Sequence, residues 1–371
     1  MKPKIIVGVF NHLVTDQRVE KVCNTLHTAG YPILLVGNNW KGLPAMERPY
    51  PFFRLKIKSK SLKTAYAEFQ WKLYKFLKKH TDKNTIILAN DLDILYACFR
   101  FAKKNRLPLV YDSHEIFTEL PHIQGRVSQK VWRFLENKII REIPYIMTES
   151  ESYAQWFVDK YKINKPLVIN NFPRRNFRGE NAKKNVPSPE IILYQGAINA
   201  FRGIEAGILS MKYLEDCEFW IVGDGPKRME YEALAQKEKI TNVKFWGSVT
   251  PNQLREITPQ ADLGLSLEEN AGLSYYLSLP NKVADYIQGG IPIVGSDFPE
   301  TKGIIEKYKI GVIAESRNPQ EIAEKIKEVL ARPKGFYLEN LRQAAKDLCW
   351  EVQEDKILKL FDKVAKDYHF L

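Results

Sequence analysis

Short apolar runs alternate with amphipathic stretches along the chain, and the alternation starts afresh in the second half. We predict strands at Ile5–Phe10, Ile33–Val36, Ile86–Leu88, Leu109–Tyr111 and Tyr145–Met147, and then at Ile191–Gln195, Glu218–Val222, Val243–Trp246, Leu263–Ser266, Ile291–Gly295 and Gly311–Ile313. The helices predicted between them include Val19–Thr28, Leu92–Lys104, Lys227–Lys239 and Pro280–Gly289. Strands that alternate with helices form parallel sheets. The sequence therefore predicts an α/β protein with two doubly wound, Rossmann-like parallel-sheet domains.

A segment rich in Asn, Pro, Arg and Lys interrupts this alternation, and we predict that residues 173–189 are an interdomain linker. The N-terminal domain is then residues 1–172 and the C-terminal domain residues 190–351. A last helix in residues 352–371 is expected to pack back on the N-terminal domain. Ligands of doubly wound sheets bind outside the carboxyl ends of the strands, so we expect a ligand in the interdomain cleft.

Cysteine usage and hydropathy exclude several classes of protein. Cys23, Cys98, Cys217 and Cys349 are far apart and form no CxxC pair, which disfavours both a disulfide framework and a zinc site. We expect four reduced thiols in the core, as in a reducing compartment. No segment approaches the roughly 20 apolar residues of a membrane-spanning helix, and the N-terminal apolar run fits a first strand better than a signal peptide. These features indicate a cytoplasmic protein.

Positive charge is concentrated in the first half. The formal net charge is +12, and residues 1–175 carry 30 Lys and Arg against 15 Asp and Glu. Residues 54–83 hold ten Lys and Arg among aromatic and aliphatic residues, a pattern typical of a basic amphipathic helix on an anionic membrane surface. The alternative is a solvated helix that covers the first sheet. Nucleic acid is disfavoured as a partner, because the basic residues are confined to one stretch without a recognised module.

In the second domain, glycines and polar residues follow the predicted strands. The turn Gly223–Pro226 allows close backbone approach to a ligand, although a plain strand-to-helix turn is the alternative. Arg202 follows the first strand of this domain, and a guanidinium binds phosphate bidentately unless it is merely solvated. Pro280 fits the first position of a helix, where Lys282 adds positive charge. Asp285, one turn into this helix, is placed to accept hydrogen bonds from sugar hydroxyls.

In the first domain, Asp112–Glu115 ends a strand. The His114 imidazole can bond a hydroxyl or shuttle a proton near neutral pH; the alternative is a histidine that satisfies local backbone groups. Asp91 ends another strand, and the segment Asn11–Arg18 follows the first. For Asp91 and for Asp16 the alternative role is a helix cap.

These turns, taken in order, resemble those of the retaining GT-B glycosyltransferases of the large family 4, over nearly the whole chain. The clearest part is Ser278–Asp297, which looks like that family's P-x-K-x-x-E-Y-x-x-x-G-x-P-V segment. Other matching segments are Gly223–Pro226, Phe245–Val249 and Ala261–Leu265 in the second domain, and Asp16–Val19 and Asp112–Glu115 in the first.

The resemblance implies a glycosyltransferase that moves a hexose or related sugar from a nucleoside diphosphate sugar to a glycan or lipid-linked acceptor. It implies no required metal or cofactor, a role in cell-surface polysaccharide or glycoconjugate biosynthesis, and a location in the cytoplasm or at the inner face of the cell membrane. The catalytic residues would be His114, Arg202, Lys282 and Asp285. The donor-binding residues would be Gly196, Arg202, Gly223, Asp224, Gly225, Pro226, Trp246, Gly247, Ser248, Ser278, Leu279, Pro280, Asn281, Lys282 and Asp285. The acceptor side would be Asn11, His12, Asp16, Arg18, Asp91, Asp112, His114 and Glu115.

One motif departs from the family pattern. The family's Glu-x7-Glu would place an acid at Leu277, and its second position is Asp285. Glu268, Glu269 and Asn270, from a loop upstream, are candidates for the missing sugar contact. Two alternatives therefore stay open: a non-catalytic relative that binds a glycan, a membrane or a partner enzyme, and a nucleotide-sugar epimerase.

Overall fold

The computed structural model describes residues 2–179 and 189–370, so residues 180–188 of the predicted linker lie outside the described residues. The chain forms two compact units. The first consists of Met1–Asn171 with Gln353–Leu371, and the second of Phe172–Val352. Each contains its own parallel sheet.

The first unit is built on seven parallel strands in the spatial order β3-β2-β1-β4-β5-β6-β7. In chain order the strands are β1 (Lys4–Gly8), β2 (Ile33–Asn38), β3 (Phe52–Leu55), β4 (Thr85–Asn90), β5 (Leu109–Ser113), β6 (Tyr145–Thr148) and β7 (Leu167–Val168). The helices are α1 (Gln17–Thr28), α2 (Leu62–His80), α3 (Leu92–Asn105), α4 (Val127–Ile139) and α5 (Glu151–Tyr161). The strand order reverses between β1 and β4, where the crevice of such a sheet accepts ligands.

The second unit has six parallel strands in the order β10-β9-β8-β11-β12-β13. They are β8 (Glu190–Gln195), β9 (Cys217–Val222), β10 (Val243–Gly247), β11 (Leu263–Ser266), β12 (Ile293–Ser296) and β13 (Gly311–Ala314). The helices are α6 (Ile204–Ser210), α7 (Arg228–Lys237), α8 (Pro251–Ile257), α9 (Leu273–Tyr276), α10 (Asn281–Gly289), α11 (Pro299–Tyr308), α12 (Pro319–Leu330) and α13 (Leu338–Asp347).

The last helix, α14 (Trp350–Asp367), begins in the second unit and continues into the first. In the first unit, the hydroxyl of Tyr31 donates to Asp362 at 2.6 Å and that of Tyr145 donates to Asp367 at 2.7 Å. The Phe361 ring lies 6.2 Å from that of Tyr31. The hydroxyl groups of Tyr31 and Tyr145 thus hold the C-terminal half of α14 against the first unit.

The two predicted doubly wound parallel sheets are confirmed. Their central strands have apolar middles because helices cover both faces, and all six residues of β4 are buried, Thr85 and Asn90 included. The four cysteines are buried and unpaired, as predicted. One detail is corrected: α10 begins at Asn281, so Pro280 is its N-cap rather than its first helical residue.

The basic stretch 54–83 is not one amphipathic helix. It contains the end of β3, a loop and then α2, whose Phe69, Leu73 and Leu77 are fully buried against the first sheet. Those side chains therefore do not anchor the stretch in a membrane, and membrane contact through its lysines stays a prediction. Among the residues that the structure describes, no helix combines the length and apolar character needed to cross a bilayer.

Candidate functional site

At the carboxyl edge of the second sheet, glycines bring three loops together. The amide of Gly223 donates to the carbonyl of Gly247 at 2.9 Å. Gly223 has a φ of +146°, and a Cβ atom there would lie 1.9 Å from the carbonyl oxygen of Gly196. At Gly225 a Cβ would lie 2.4 Å from the carbonyl oxygen of Ile198. Only glycine fits these positions, and without side chains the half-buried turn allows close approach of a ligand to its backbone.

Beside these loops, Lys282 and Glu268 form a buried ion pair. The Lys282 ammonium contacts Oε1 of Glu268, and the side chains are 8% and 1% exposed. The hydroxyl of Ser266 donates to Oε2 of Glu268 at 2.7 Å. Burial disfavours both charges, yet Lys282 holds the pKa of Glu268 below its ordinary value. The pair is therefore ionic, with both carboxylate oxygens hydrogen-bonded.

Arg202 adds a second positive charge to this site. Its loop is fixed against the Glu268 loop, because the amide of Glu269 donates to the carbonyl of Phe201 at 3.1 Å. The Arg202 guanidinium lies 4.9 Å from the ring centre of Tyr275, and its charge acts on both Glu268 and Lys282. We call Arg202, Lys282 and Glu268 the cation cluster. Two cations and one carboxylate leave it net positive, which suits an anionic ligand.

Asp285 lies on the same helix as Lys282 but has a different partner. Its Oδ2 accepts a hydrogen bond of 3.0 Å from the side-chain amide of Gln195, at the end of β8. The hydroxyl of Thr258 donates to the amide oxygen of Gln195 at 2.8 Å. The carboxylate is thereby oriented from the strand end.

The remaining residues predicted at this edge differ in exposure. Trp246 is 44% exposed, and its ring lies 4.8 Å from that of Trp220. Asn270 is exposed and accepts from the amide of Gly272, so of the three upstream candidates Glu268 is the one that meets Lys282. Leu279 is buried, whereas Ser278 donates to the carbonyl of Tyr275 at 2.9 Å. Four further predicted residues are exposed: Asp224, Pro226, Ser248 and Asn281.

In the first unit, Arg18 and Asp112 form a buried bidentate pair at the end of β5. Nε of Arg18 donates to Oδ2 of Asp112 at 3.0 Å, and Nη2 donates to Oδ1 at 2.6 Å. Nη1 donates to the carbonyl of Ile169. Burial alone would raise the pKa of Asp112, but Arg18 and then His114 hold it well below its ordinary value.

His114 lies between carboxylates. Its Nδ1 is 3.4 Å from Asp91, and its Nε2 is 3.4 Å from Asp112 and 3.1 Å from the side-chain oxygen of Asn90. Burial lowers the pKa of the imidazole, but Asp91 and Asp112 outweigh it and raise the pKa to about 10. These carboxylates therefore favour the charged imidazolium at neutral pH, and a role of His114 in proton exchange stays a prediction.

The loop after β1 is held by local hydrogen bonds. Asp16 caps α1 by accepting from the amide of Val19 at 3.0 Å, so its alternative role as a cap is observed. Asn11 donates to the other oxygen of Asp16 at 2.8 Å. The Nδ1 atom of His12 accepts from the amide of Val14 at 3.4 Å. Arg18, at the end of this segment, is the residue that forms the ion pair with Asp112.

Two charged residues that follow strands, Glu149 and Arg317, were not predicted from the sequence. Glu149 follows β6, and burial raises its pKa to about 7 against the opposing charge of Arg18. Arg317 follows β13, and its Nη2 donates to the carbonyl of Glu268, which ties that loop to the edge of the sheet. The rule that ligand-binding groups follow parallel strands would have found both. Glu115 is half-buried after β5. Within residues 2–179 and 189–370, no group of His, Cys, Asp and Glu is placed to hold a metal ion.

Comparisons with known proteins identify the family of the chain. A family model described as Glycosyltransferase Family 4 matches residues 16–172, and one described as Glycosyl transferases group 1 matches residues 176–348. A chitobiosyldiphosphodolichol beta-mannosyltransferase of Candida albicans is 28% identical over 113 residues. That match spans 29% of this chain and 24% of the relative's length.

Solved structures match over almost the full length. A sucrose-phosphate synthase from Thermosynechococcus elongatus has a TM-score of 0.82 at 16% identity, with 99% of this chain and 100% of that chain covered. HepE of Anabaena, in complex with UDP, has a TM-score of 0.70 at 14% identity, with 99% and 100% covered. At such identities these two structures share the fold with this chain.

Proposed function

The chain belongs to the GT-B glycosyltransferases of the family-4 type, and we propose that it transfers a hexose or related sugar from a nucleoside diphosphate sugar to a glycan or lipid-linked acceptor. We propose further that the transfer retains the anomeric configuration and serves cell-surface polysaccharide or glycoconjugate biosynthesis. The UDP complex of the Anabaena neighbour supports a nucleoside diphosphate as the leaving group.

The cation cluster is the observation that carries the proposal. As the sugar departs, negative charge grows on the diphosphate, and preorganised cations and backbone amides stabilise it most effectively away from water. Arg202 and Lys282 supply the cations, and the glycine loops at Gly196 and Gly223 allow the diphosphate to approach the backbone closely. The amides of these two glycines themselves donate to the carbonyls of Val222 and Gly247. An ammonium has three N–H donors, so Lys282 can bind phosphate while it keeps Glu268. These cations support a reaction that needs no metal.

The other roles follow from what each side chain offers. Asp285, a carboxylate oriented by Gln195, is proposed to accept from the ribose hydroxyls. The exposed face of Trp246 and its backbone are proposed to meet the base. His114 is proposed to donate to a hydroxyl of the sugar or the acceptor, since its raised pKa favours the imidazolium over the neutral imidazole that a general base requires at neutral pH.

The test is product analysis with a panel of UDP-, GDP- and ADP-sugars, with and without lipid-linked acceptors, in the presence of EDTA. We expect release of one nucleoside diphosphate that depends on the acceptor, and a product with the donor's anomeric configuration by NMR. Arg202→Ala should lower kcat/KM at least about a hundredfold, whereas Arg255→Ala, at an exposed arginine of α8, should not. An isomerised donor without acceptor would mean an epimerase, and an inert protein a non-catalytic relative.

A further inference from the structure

The outer face of α4 carries an apolar stripe that nothing in the described chain covers. Val127, Val131 and Phe134 are 78%, 52% and 58% exposed. Their spacing of four and then three residues puts them on one side of the helix. Large apolar side chains grouped on a surface mark an interaction site more often than single ones do. We call these three residues the α4 stripe.

The helix is fixed in this rotation by polar contacts on its buried side. The side-chain amide of Gln129 donates to the carbonyl of Thr118 at 2.8 Å. The hydroxyls of Thr118 and Tyr161 donate to Oε2 of Glu136 at 2.9 Å and 2.5 Å. Buried polar groups of this kind are costly to separate. The buried side of α4 thus combines these hydrogen-bonded polar groups with Ile139 and Trp132, which pack on the first core, while the α4 stripe faces outward.

Positive charge surrounds the stripe. Lys130 and Lys138 each lie one helical turn from Phe134, and both are exposed. The Lys138 ammonium lies 4.7 Å from the ring centre of Phe134. Arg126 and Arg141 are exposed at the two ends of the helix. The one acid among residues 124–141 is Glu136, which is buried, and the exposed Glu142 that follows Arg141 is paired with Lys103.

We propose that the α4 stripe and its flanking Lys and Arg residues form a docking surface for an anionic lipid bilayer. A helix of this composition lies in the membrane interface, with its apolar side chains among the acyl chains and its Lys and Arg at the headgroups. The positive charge complements an anionic surface. The three apolar side chains at its centre favour a lipid bilayer over an acidic protein surface, because a bilayer offers acyl chains as well as anionic headgroups. This surface is distinct from residues 54–83, where Phe69, Leu73 and Leu77 are buried and the exposed Trp71 lies under the ammonium of Lys75.

The inference extends the proposed function, in which a lipid-linked acceptor is one option, and vesicle binding without donor or acceptor tests it separately. The measurement is co-sedimentation of the full chain with vesicles of roughly one phosphatidylglycerol to three phosphatidylcholine, and with phosphatidylcholine alone. We expect binding to the anionic vesicles that is much weaker on the neutral ones and falls with salt.

Two variants remove different parts of the surface. Val131→Asp with Phe134→Asp, and separately Lys130→Glu with Lys138→Glu, should each weaken partitioning at least about tenfold. Lys78→Glu with Lys79→Glu on α2, and Met229→Asp at an 82% exposed position of α7, should change it less than about twofold. Unchanged thermal unfolding and an unchanged shift with nucleoside diphosphate show that the variants are folded and that the donor site is intact.

Three outcomes would overturn the proposal. The first is wild-type protein that does not bind anionic vesicles, which leaves the stripe to a protein partner. The second is a folded α4 variant that partitions like the wild type. The third is an equal loss in the α2 variant, which would assign the binding to general positive charge of the first unit.

Discussion

Lys282 and Glu268 form an ion pair in which both side chains are more than nine-tenths buried. Glu268 belongs to the loop after β11 and Lys282 to the first turn of α10, so the pair joins two chain segments at the carboxyl edge of one sheet. The family pattern would place its first acid at Leu277. Here a carboxylate reaches the cluster from nine residues further upstream, where it holds Lys282.

The pair should show strong coupling. Glu268→Gln leaves Lys282 buried without its partner and should destabilise the second unit by about 3 kcal/mol. Lys282→Met should cost a similar amount, and the double variant less than the sum by about 1–3 kcal/mol. Urea unfolding of the four proteins measures the coupling. Additive losses would show that the two side chains do not interact in solution.

His114 should stay charged through neutral pH. Its ordinary pKa of 6.5 is raised to about 10 by Asp91 and Asp112 against the effect of burial. In a nitrogen-15 NMR titration we expect both ring nitrogens to stay protonated to about pH 9, with His114→Gln used to assign the signal. An inflection between pH 6 and 7 would show an ordinary histidine and contradict the raised pKa of His114.

The same shift predicts a pH dependence of stability. Because the folded protein binds this proton more tightly than the unfolded chain, the stabilisation is full below pH 6.5 and is lost as pH rises towards 10. The free energy of unfolding of the wild type should therefore fall across that window by more than that of His114→Gln. Parallel curves for the two proteins would count against the contacts with Asp91 and Asp112.

Gly223 should tolerate no side chain. Alanine would place Cβ 1.9 Å from the carbonyl oxygen of Gly196, at a φ of +146°. Gly223→Ala should cost about 2–4 kcal/mol and reduce nucleotide binding, because the two loops must separate. Gly303→Ala is the control: no atom lies within 4 Å of the Cβ that would be added on α11, and helix propensity predicts a gain of up to about 1 kcal/mol. Similar unfolding midpoints for both variants would contradict the close approach of the loops.

Arg18→Lys should be a severe substitution. Lysine cannot reproduce the two hydrogen bonds to Asp112 together with the third to Ile169, and it leaves a buried carboxylate poorly satisfied. We expect a loss of about 3 kcal/mol in urea unfolding. Arg100→Lys, at an exposed position of α3, should change stability by less than about 0.5 kcal/mol. If Arg18→Lys is as stable as the wild type, a single hydrogen bond to Asp112 is enough to stabilise the buried carboxylate.

Much of the fold could be predicted from the sequence, because strands buried on both faces are continuous apolar runs. β4 and β8 follow this rule, whereas β7 has two residues and gives no such signal. The strand-end turns also indicated Arg202, Lys282 and His114, whose roles stay predictions. The ion pairs could not be predicted from the sequence. Glu268 meets Lys282, and Asp112 meets Arg18, only when separate segments of the chain come together in the fold.

The α4 stripe shows why amphipathic pattern alone can mislead. Val127, Val131 and Phe134 have the spacing of a core face, yet Gln129 and Glu136 occupy the buried side because Thr118 and Tyr161 satisfy them. The basic stretch 54–83 is the opposite case, since Phe69, Leu73 and Leu77 are packed against the first sheet and Trp71 is the large aromatic side chain that stays exposed. In both helices tertiary hydrogen bonding and packing decide which face is exposed.

The central claim is that the cation cluster binds the diphosphate of a nucleotide-sugar, and calorimetric titration with UDP, GDP and ADP and their sugars tests it most directly. We expect at least one of these ligands to bind the wild type. Arg202→Ala should weaken that binding at least about tenfold, and Arg255→Ala should leave it unchanged. Absence of binding by every nucleotide, or equal binding by Arg202→Ala, would contradict the account.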